Sequence, residues 1–293
     1  MAIPHRRLLT PLTGALVSAA CASGGGAPPA PTPTPTRTTP APVSSPAPSG
    51  PAAFAYAPGT YRYEVRTDAT VERPDARDER ESVGSVAVVT YTLARQPRGT
   101  AVTGQVDSFT VSAGARVTAG STGTGLAAPV PFRGTVDGTD VRLAAEAAVE
   151  TRCDGPYGAA VAAARETLVG VPATLSAGTR WTDTSATVSC RGDVPATTQT
   201  IARYEVVGRA EFGGAQAMRV RRQTVTTVRG TGVSNGQPVS ITGSGDGDMS
   251  FYVDAARGRL VGATGESRTT LTVQIRDVRQ QFVQRSRQRI SLR

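Results

Sequence analysis

The sequence predicts a mainly β protein whose folded part, residues 59–293, is built from antiparallel strands around one helix. Apolar and polar residues alternate in many short segments, and Gly, Pro and Asp-Gly turns separate these segments. One stretch, between Cys153 and Cys190, carries the helical pattern, and it separates two β-rich halves at approximately 59–150 and 178–293. We therefore expect two antiparallel meanders that are joined by a helix.

The expected helix covers approximately residues 156–169. Pro156 suits a first helical position, because proline has no backbone N–H to lose there. Gly170 can adopt the left-handed conformation that ends a helix, and Pro172 prevents continuation. Four residues recur at helical spacing and would face a sheet: Tyr157, Val161, Ala164 and Leu168. A structural helix packed on the sheet is the main interpretation, and a helix that gates a ligand is the alternative.

Cys153 and Cys190 are expected to form a disulfide, as is typical of secreted domains. The chain has three cysteines, and Cys21 has a separate explanation in the N-terminal segment. Neither of the other two has a Cys or His at the spacing of metal ligands, so no metal site is expected.

Residues 1–20 have the pattern of an export signal. His5, Arg6 and Arg7 form a charged start, and the apolar run at 8–20 is too short to span a bilayer. The chain is therefore expected to be exported through the secretory pathway.

Residues 17–21, Val-Ser-Ala-Ala-Cys, resemble the lipobox of bacterial lipoproteins, in which the cysteine is lipidated and becomes the mature N-terminus. The resemblance implies a membrane anchor at Cys21, because two or more acyl chains attach a protein stably. The residue after the cysteine is Ala22 and not Asp. By the same resemblance, this implies an outer-membrane lipoprotein that faces the periplasm or the cell surface. Ordinary signal-peptidase cleavage after Ala20 is the alternative.

Residues 21–58 are expected to form a disordered linker that begins with the lipidated cysteine. They consist mostly of Pro, Thr, Ser, Ala and Gly, and Arg37 is their only charged residue. Such a composition cannot form a core. Fully extended at ~3.1 Å per residue, the linker would span on the order of 100 Å.

The folded part contains many strand patterns. Tyr61, Tyr63 and Val65 alternate with charged residues, as expected for a half-buried strand. Asn235-Gly236 is the strongest hairpin turn, because both residues tolerate positive φ. The other predicted strands cover residues 83–93, 101–111, 130–136, 141–149, 178–190, 200–210, 217–228, 239–242, 249–253, 259–263, 269–275 and 282–292.

The two halves share landmarks at a nearly constant offset. Gly59-Thr60 corresponds to Gly178-Thr179, and the turn at 137–138 corresponds to the turn at 254–258. This spacing predicts two repeated copies of a meandering sheet. Chance is the alternative, because the chain is rich in Gly and Thr.

Residues 251–254, Phe-Tyr-Val-Asp, and residues 258–260, Gly-Arg-Leu, resemble the strand–turn–strand signature of bacterial envelope lipoproteins with a LolA/LppX-like domain. The resemblance implies a large, strongly curved antiparallel sheet, or half-barrel, that wraps a helix and can enclose an apolar cavity. The residues expected to line such a cavity are Val89, Leu93, Val220 and Phe251.

Several enzyme classes are excluded by the residues that the chain lacks. His5 is the only histidine and would leave with the export signal, and all 32 basic side chains are arginines. Histidine-dependent nucleophiles, His-ligated zinc and lysine Schiff bases are therefore excluded, and no phosphate-loop motif appears. We expect no catalytic residue, no cofactor and no metal.

Carboxylates are the remaining candidates for chemistry. Asp246 and Asp248 could bind Ca²⁺, but the distal Glu of an EF-hand is absent and a polar turn is expected instead. Acidic residues of a loop at 72–81 alternate with arginines, which favours a solvated loop over a glycosidase pair. These acidic residues are Asp75, Asp78, Glu79 and Glu81. Residues 191–193, Arg-Gly-Asp, are interpreted as a chance integrin-type tripeptide.

The net charge of +9 is concentrated near the C-terminus, where Arg285, Arg287 and Arg289 share one face of the last strand. Such a stripe could contact anionic lipid or polymer. The main interpretation, however, is a solvated face that prevents aggregation at a sheet edge, and anionic contact is the alternative. Nucleic acid is not expected as a partner, because no aromatic residues are interleaved with the arginines.

These observations predict a non-enzymatic, membrane-anchored envelope lipoprotein whose β domain binds an envelope protein, a polymer or an apolar ligand. The second hypothesis is a lipid or lipoprotein carrier with an apolar cavity. The third is a carboxylate-dependent glycan hydrolase.

Overall fold

The computed structural model describes residues 50–74, 80–113, 124–145, 153, 156–191 and 194–293, which fall in one compact unit. The helix found in these residues is α1, Tyr157–Glu166. The strands are β1 (Ala52–Ala53), β2 (Gly59–Glu72), β3 (Arg80–Arg95), β4 (Thr100–Ala113), β5 (Thr124–Gly125), β6 (Val130–Asp137), β7 (Asp140–Ala145), β8 (Thr174–Leu175), β9 (Arg180–Arg191), β10 (Val194–Phe212), β11 (Ala215–Ser234), β12 (Gln237–Asp254), β13 (Arg259–Ile275) and β14 (Val278–Leu292).

Eleven strands form one antiparallel path in the order β7-β6-β4-β3-β2-β14-β13-β12-β11-β10-β9, and β5 pairs with β4. Helix α1 contacts β9 at one end of this path and β6 and β7 at the other end. Because a single helix touches both ends, the sheet must curve around it. The predicted fold, a curved antiparallel half-barrel with one packed helix, is confirmed.

Long strands replace some of the short predicted ones. Residues 239–242 and 249–253 were expected as separate strands, but both belong to β12. Likewise, 259–263 and 269–275 belong to β13. The intervening Gly and Asp residues look like turn residues in sequence, yet β12 pairs with strands on both sides through this stretch, and the ladder overrides the local preference.

The predicted hairpin turn at Asn235-Gly236 is confirmed. Both residues have positive φ, 50° and 73°, and Ser234 pairs with Gln237 across the turn. This is the geometry of a two-residue turn between tightly paired strands.

The landmarks of the predicted repeat occupy comparable places. Gly59-Thr60 opens β2, and Gly178-Thr179 directly precedes β9. The turn at 137–138 connects β6 to β7, and the turn at 254–258 connects β12 to β13. A duplicated origin of the halves stays a prediction.

Helix α1 is shorter than expected and ends differently. It stops at Glu166, and the Thr167 hydroxyl donates to the Ala164 carbonyl at 2.7 Å. Gly170 was expected as the left-handed end, but it is not among the residues with positive φ. Gly170 instead allows the backbone of residue 139 to come close, because a Cβ at position 170 would lie 2.2 Å from the Thr139 carbonyl oxygen.

The end of α1 is attached to one end strand of the sheet and to a strand near the opposite end. The Arg165 guanidinium donates to the Leu143 carbonyl on β7 at 3.3 and 3.1 Å. The next residue, Glu166, accepts from Arg222 on β11 at 2.7 Å. Two consecutive side chains therefore join strands that lie far apart in the sheet order.

The space between α1 and the sheet is filled by one large hydrophobic cluster. Val89, Leu93, Val220 and Phe251, which were expected to line a cavity, are at most 2% exposed and belong to this cluster. Val161 and Ala164 of the helix pack into the same cluster. These positions therefore form a packed core, and they line neither the cavity at residues such as Ile201 and Val225 nor the one at residues such as Ala52 and Met218.

The folded domain begins earlier than expected, which corrects the linker boundary. Residues 50–58 were assigned to the disordered linker, but Ala52–Ala53 pairs with β8 and the Phe54 N–H donates to the Ala173 carbonyl at 2.8 Å. Phe54 and Tyr56 are buried, with their ring centroids 5.0 Å apart. The two aromatic rings supply the apolar surface that the Pro-rich segment before them lacks.

Three buried tyrosines tie the core to the segment that follows α1 and to β13. The hydroxyls of Tyr56 and Tyr91 donate to the carbonyls of Val169 and Thr167 at 2.9 and 3.2 Å. The Tyr63 hydroxyl donates to the Leu260 carbonyl at 2.8 Å. Burial raises the pKa of all three tyrosines well above the ordinary value.

The predicted disulfide between Cys153 and Cys190 is confirmed, with the two Cα atoms 5.3 Å apart. It joins the chain just before α1 to the far end of β9. The bond indicates an oxidising, exported compartment. No helix in the described part of the chain has the length and apolar character needed to cross a membrane.

We predict that replacing both Cys153 and Cys190 with Ser lowers the free energy of unfolding by about 2–4 kcal/mol, because the bridge restricts the unfolded chain across 37 residues. Urea unfolding of the two proteins, followed by circular dichroism, measures the difference. The wild type with reductant serves as the control and should match the variant. A difference below about 0.5 kcal/mol would show that the bridge adds nothing to stability.

Candidate functional site

Side chains of the sheet alternate between two faces, and we call the face toward α1 the inner face and the opposite one the outer face. The predicted arginine stripe, Arg285, Arg287 and Arg289, lies exposed on the outer face of β14. Its strand pairs with β13 on one side and β2 on the other, so it is not an edge strand. The interpretation that these arginines protect a sheet edge is therefore wrong.

Carboxylates partly neutralise this stripe. Arg287 lies 3.0 Å from Glu266 on β13, and Arg285 lies 4.0 Å from Glu72 on β2. Arg289 forms no ion pair with any residue that the structure describes. The stripe is thus a mixed-charge surface rather than a uniformly basic one.

A depression of about 1100 Å³ lies on the outer face and crosses seven strands, from β3 through β2, β14, β13, β12 and β11 to β10. We call it the outer depression. Two neighbouring cross-strand rows of side chains form its walls, and the backbone between them forms its floor. The first row contains Ile201, Val225, Asp246, Arg268, Arg285 and Thr70. The second row contains Arg203, Gln223, Asp248, Glu266, Arg287 and Asp68.

One end of the first row is apolar. Ile201 on β10 and Val225 on β11 are direct cross-strand partners. They are 49% and 59% exposed, respectively, and both contact the depression. Two large aliphatic side chains side by side on a water-exposed sheet face form a small patch suited to contact with an apolar group.

The middle of the first row is basic. Arg268 and Arg285 are directly opposite each other on β13 and β14, where like charges repel. Arg285 shares Glu72 with Arg80, which lies 3.5 Å from the same carboxylate. Arg268 forms no ion pair with the described residues. An added anion would reduce this repulsion.

The carboxylates of the depression do not form a metal or turn site. Asp246 and Asp248 were expected in a polar turn, but both lie within β12. Asp248 accepts from Arg221 at 2.7 Å, while Glu266 on the facing strand accepts from Arg287 at 3.0 Å. No cluster of three groups able to hold a metal occurs among the described residues.

The motif that carries the family resemblance has a structural role at the turn between β12 and β13. Asp254, which is 4% exposed, accepts from the backbone N–H of Arg257 at 3.0 Å and from its guanidinium at 3.1 Å. Gly258 has a φ of +58°, and a Cβ there would lie 2.3 Å from the Ala55 carbonyl oxygen. The pattern of Asp, Gly and Leu therefore fixes a turn against which residues 55–57 pack.

The inner face holds the ion pair between Glu166 and Arg222 beside an aromatic pair. The rings of Trp181 and Tyr204 stack in parallel, 5.0 Å apart, and Arg222 lies 5.0 Å from the centroid of Phe251. Burial lowers the pKa of Arg222, but Glu166 and Tyr204 raise it and the net shift is upward. Burial also raises the pKa of Tyr204. This cluster belongs to the attachment of α1.

Some predicted features lie outside the described residues. They are Cys21 with the whole export signal, Asp75, Asp78 and Glu79 of the charged loop, and Gly192 and Asp193 of the tripeptide.

No family model matches the chain, and no curated protein matches it. The resemblance to LolA/LppX-like lipoproteins thus rests on the hairpin motif and the layout of the sheet.

Sequence reasoning missed the outer depression. Its residues come from seven strands, so no local motif marks them, and only the full strand register brings them together. One local signal was available: Ile201 and Val225 are aliphatic residues at positions that alternate with buried ones. Because the two residues are direct cross-strand partners, they form one contiguous apolar surface.

We predict that Gly258→Ala destabilises the domain by at least ~2 kcal/mol more than Gly138→Ala. Both glycines have nearly the same φ, +58° and +57°, so the cost of positive φ, roughly 1–2 kcal/mol, is common to both. Only Gly258 faces a close backbone atom, whereas nothing lies within 4 Å of a Cβ at Gly138. Urea unfolding of both variants measures the difference, and equal costs would disprove the packing role of Gly258.

Proposed function

We propose that this protein is an exported, membrane-anchored, non-enzymatic binding protein of the cell envelope, and that its β domain holds a partner polypeptide in the outer depression. One observation carries the proposal: the inner side of the curved sheet is packed with side chains, whereas the outer face offers an open depression of about 1100 Å³. A binding surface outside the sheet fits a macromolecular partner better than an enclosed small ligand.

A polypeptide partner is supported by the composition of the depression. It combines two exposed aliphatic residues, five arginines and four carboxylates with Ser, Thr and Gln side chains. Such a mixture of apolar, charged and hydrogen-bonding groups matches a protein chain, which offers all three. A uniformly basic groove would instead favour an anionic polymer.

Membrane attachment at Cys21 is supported by the lipobox-like residues 17–21 and by the Pro-rich segment between Cys21 and the domain. The disulfide adds the argument that the domain is in an oxidising compartment. An outer-membrane location follows from Ala22 by resemblance to bacterial lipoproteins, and that resemblance extends to the half-barrel of LolA/LppX-like proteins.

The two alternative functions have less support. A lipid carrier needs a cavity, and the four residues that would line it are packed in the core. A glycan hydrolase needs one carboxyl group that burial keeps protonated. The facing pair in the depression, Asp248 and Glu266, is 45% and 70% exposed, and each member already has an arginine partner.

We predict that cells fed a clickable fatty-acid analogue label the wild-type protein and that Cys21→Ala abolishes the label, because the cysteine carries the acyl chains. Fluorescence of the immunoprecipitated protein gives the measurement. Ala22→Ser, which retains the cysteine, is the control and should keep the label. Unchanged labelling of Cys21→Ala would show that the protein is not anchored through this residue.

We predict that a photoreactive benzoylphenylalanine at Gln223, inside the outer depression, cross-links a discrete polypeptide in intact cells. The same residue at Thr231, on the same face of β11 but outside the depression, is the matched control and should give no such adduct. Gel shift and mass spectrometry of the adduct identify the partner. The same adducts from both positions, or none from Gln223, would contradict a polypeptide site in the depression.

A further inference from the structure

The outer depression contains two binding features at a fixed distance from each other. The aliphatic pair Ile201 and Val225 lies on β10 and β11, and the arginine pair Arg268 and Arg285 lies on β13 and β14. All four side chains belong to one cross-strand row. The centres of the two pairs are three strand spacings apart, which is about 14 Å at ~4.8 Å per spacing.

An extended polypeptide laid along this row would meet the two pairs at a defined sequence interval. Each residue of an extended chain advances ~3.3 Å, so four residues cover about 13 Å. Side chains four residues apart also point to the same side of an extended chain, because its side-chain period is two. Both features can therefore be contacted at once by residues i and i+4.

The arginine pair determines the chemistry of one end. Arg268 and Arg285 face each other with like charge, and Arg268 has no ion-pair partner among the described residues. A carboxylate between them would relieve the repulsion and could accept hydrogen bonds from both guanidinium groups.

Strand β12, which lies between the two pairs, determines which side chain of the bound peptide fits between them. Asp246 of β12 lies in the same row and forms no ion pair with any described residue. Residue i+2 of the extended chain would lie above it and point toward the sheet. A cationic or hydrogen-bond-donating side chain fits that position.

We infer that the outer depression binds an extended polypeptide segment of a partner protein with an apolar residue, a basic residue and an acidic residue at positions i, i+2 and i+4, in either chain direction. This inference rests on the proposed function and specifies its ligand. The chain's own segment 22–49 cannot be the ligand, because it contains no Asp or Glu.

Synthetic fluorescent peptides test this spacing against the full-length chain purified in detergent. We use Leu-Ser-Lys-Ser-Glu and its reverse, each flanked by Gly-Ser, and a control peptide in which the Leu and Glu are two residues apart. Fluorescence anisotropy gives the dissociation constants. We expect at least one of the two peptides with the four-residue interval to bind about fivefold tighter than the control, and this preference to decrease with salt as ion pairs are screened.

Matched protein variants locate the binding. Arg268→Gln combined with Arg285→Gln should weaken binding about tenfold, whereas Arg229→Gln, on the same outer face but outside the depression, should leave it unchanged. Val225→Thr should weaken binding, and Val233→Thr on the same strand should not. Arg268→Lys, which keeps the charge, should retain most of the affinity and so separates charge from folding effects.

Equal binding of the control peptide, equal effects of the depression variants and their matched controls, or no binding of any peptide would overturn the inference. A concentration-dependent dimer that the depression variants abolish would also overturn it, since the occupant would then be a second copy. The cross-link at Gln223 separates the two proposals. If Gln223 gives an adduct but the peptides bind equally well, the proposed function stands. Only the inferred interval between the apolar and the acidic residue is then refuted.

Discussion

The attachment of α1 to strands at or near both ends of the sheet is the constraint on which the rest of the fold depends. Arg165 reaches the Leu143 carbonyl of β7, and Glu166 pairs with Arg222 of β11. A sheet of eleven strands has two exposed edges, and hydrogen bonding alone does not bring those edges close together. The helix does so, and the disulfide fixes the chain before the helix to β9. The curvature of the sheet follows from this bridge.

Because the helix occupies the inner side, the two faces of the sheet differ in their accessibility to solvent. The main core and α1 fill the inner face, and Val89, Val220 and Phe251 are buried there. On the outer face, the aliphatic residues of the outer depression, Ile201 and Val225, remain exposed to solvent. Function assigned to the interior of this sheet would require the helix to leave, at the expense of the core and the ion pair. Function on the outer face requires no rearrangement.

Local chemistry determined what could be predicted from the sequence. The Asn235-Gly236 turn and the disulfide were predictable, because each depends on residues with few alternatives. The continuity of β12 was not, because Gly and Asp favour turns locally and only the neighbouring strands hold them extended. The role of Gly170 was missed for the same reason, since its contact is with Thr139, which is distant in sequence. The outer depression depends on the register of seven strands, which no single segment specifies.

The first described residues of the domain are held at one end of the long strands. Residues 50–58 pack beside the turn between β12 and β13, where the Ala57 N–H donates to the Gly258 carbonyl at 2.8 Å. The Asn235-Gly236 turn lies at the other end of β12, and the outer depression crosses the middle of that strand. Residues 50–58 therefore lie toward one end of the strands, and none of them lines the outer depression. The proposed anchoring through Cys21 and the proposed binding in the outer depression therefore do not require the same surface of the described domain.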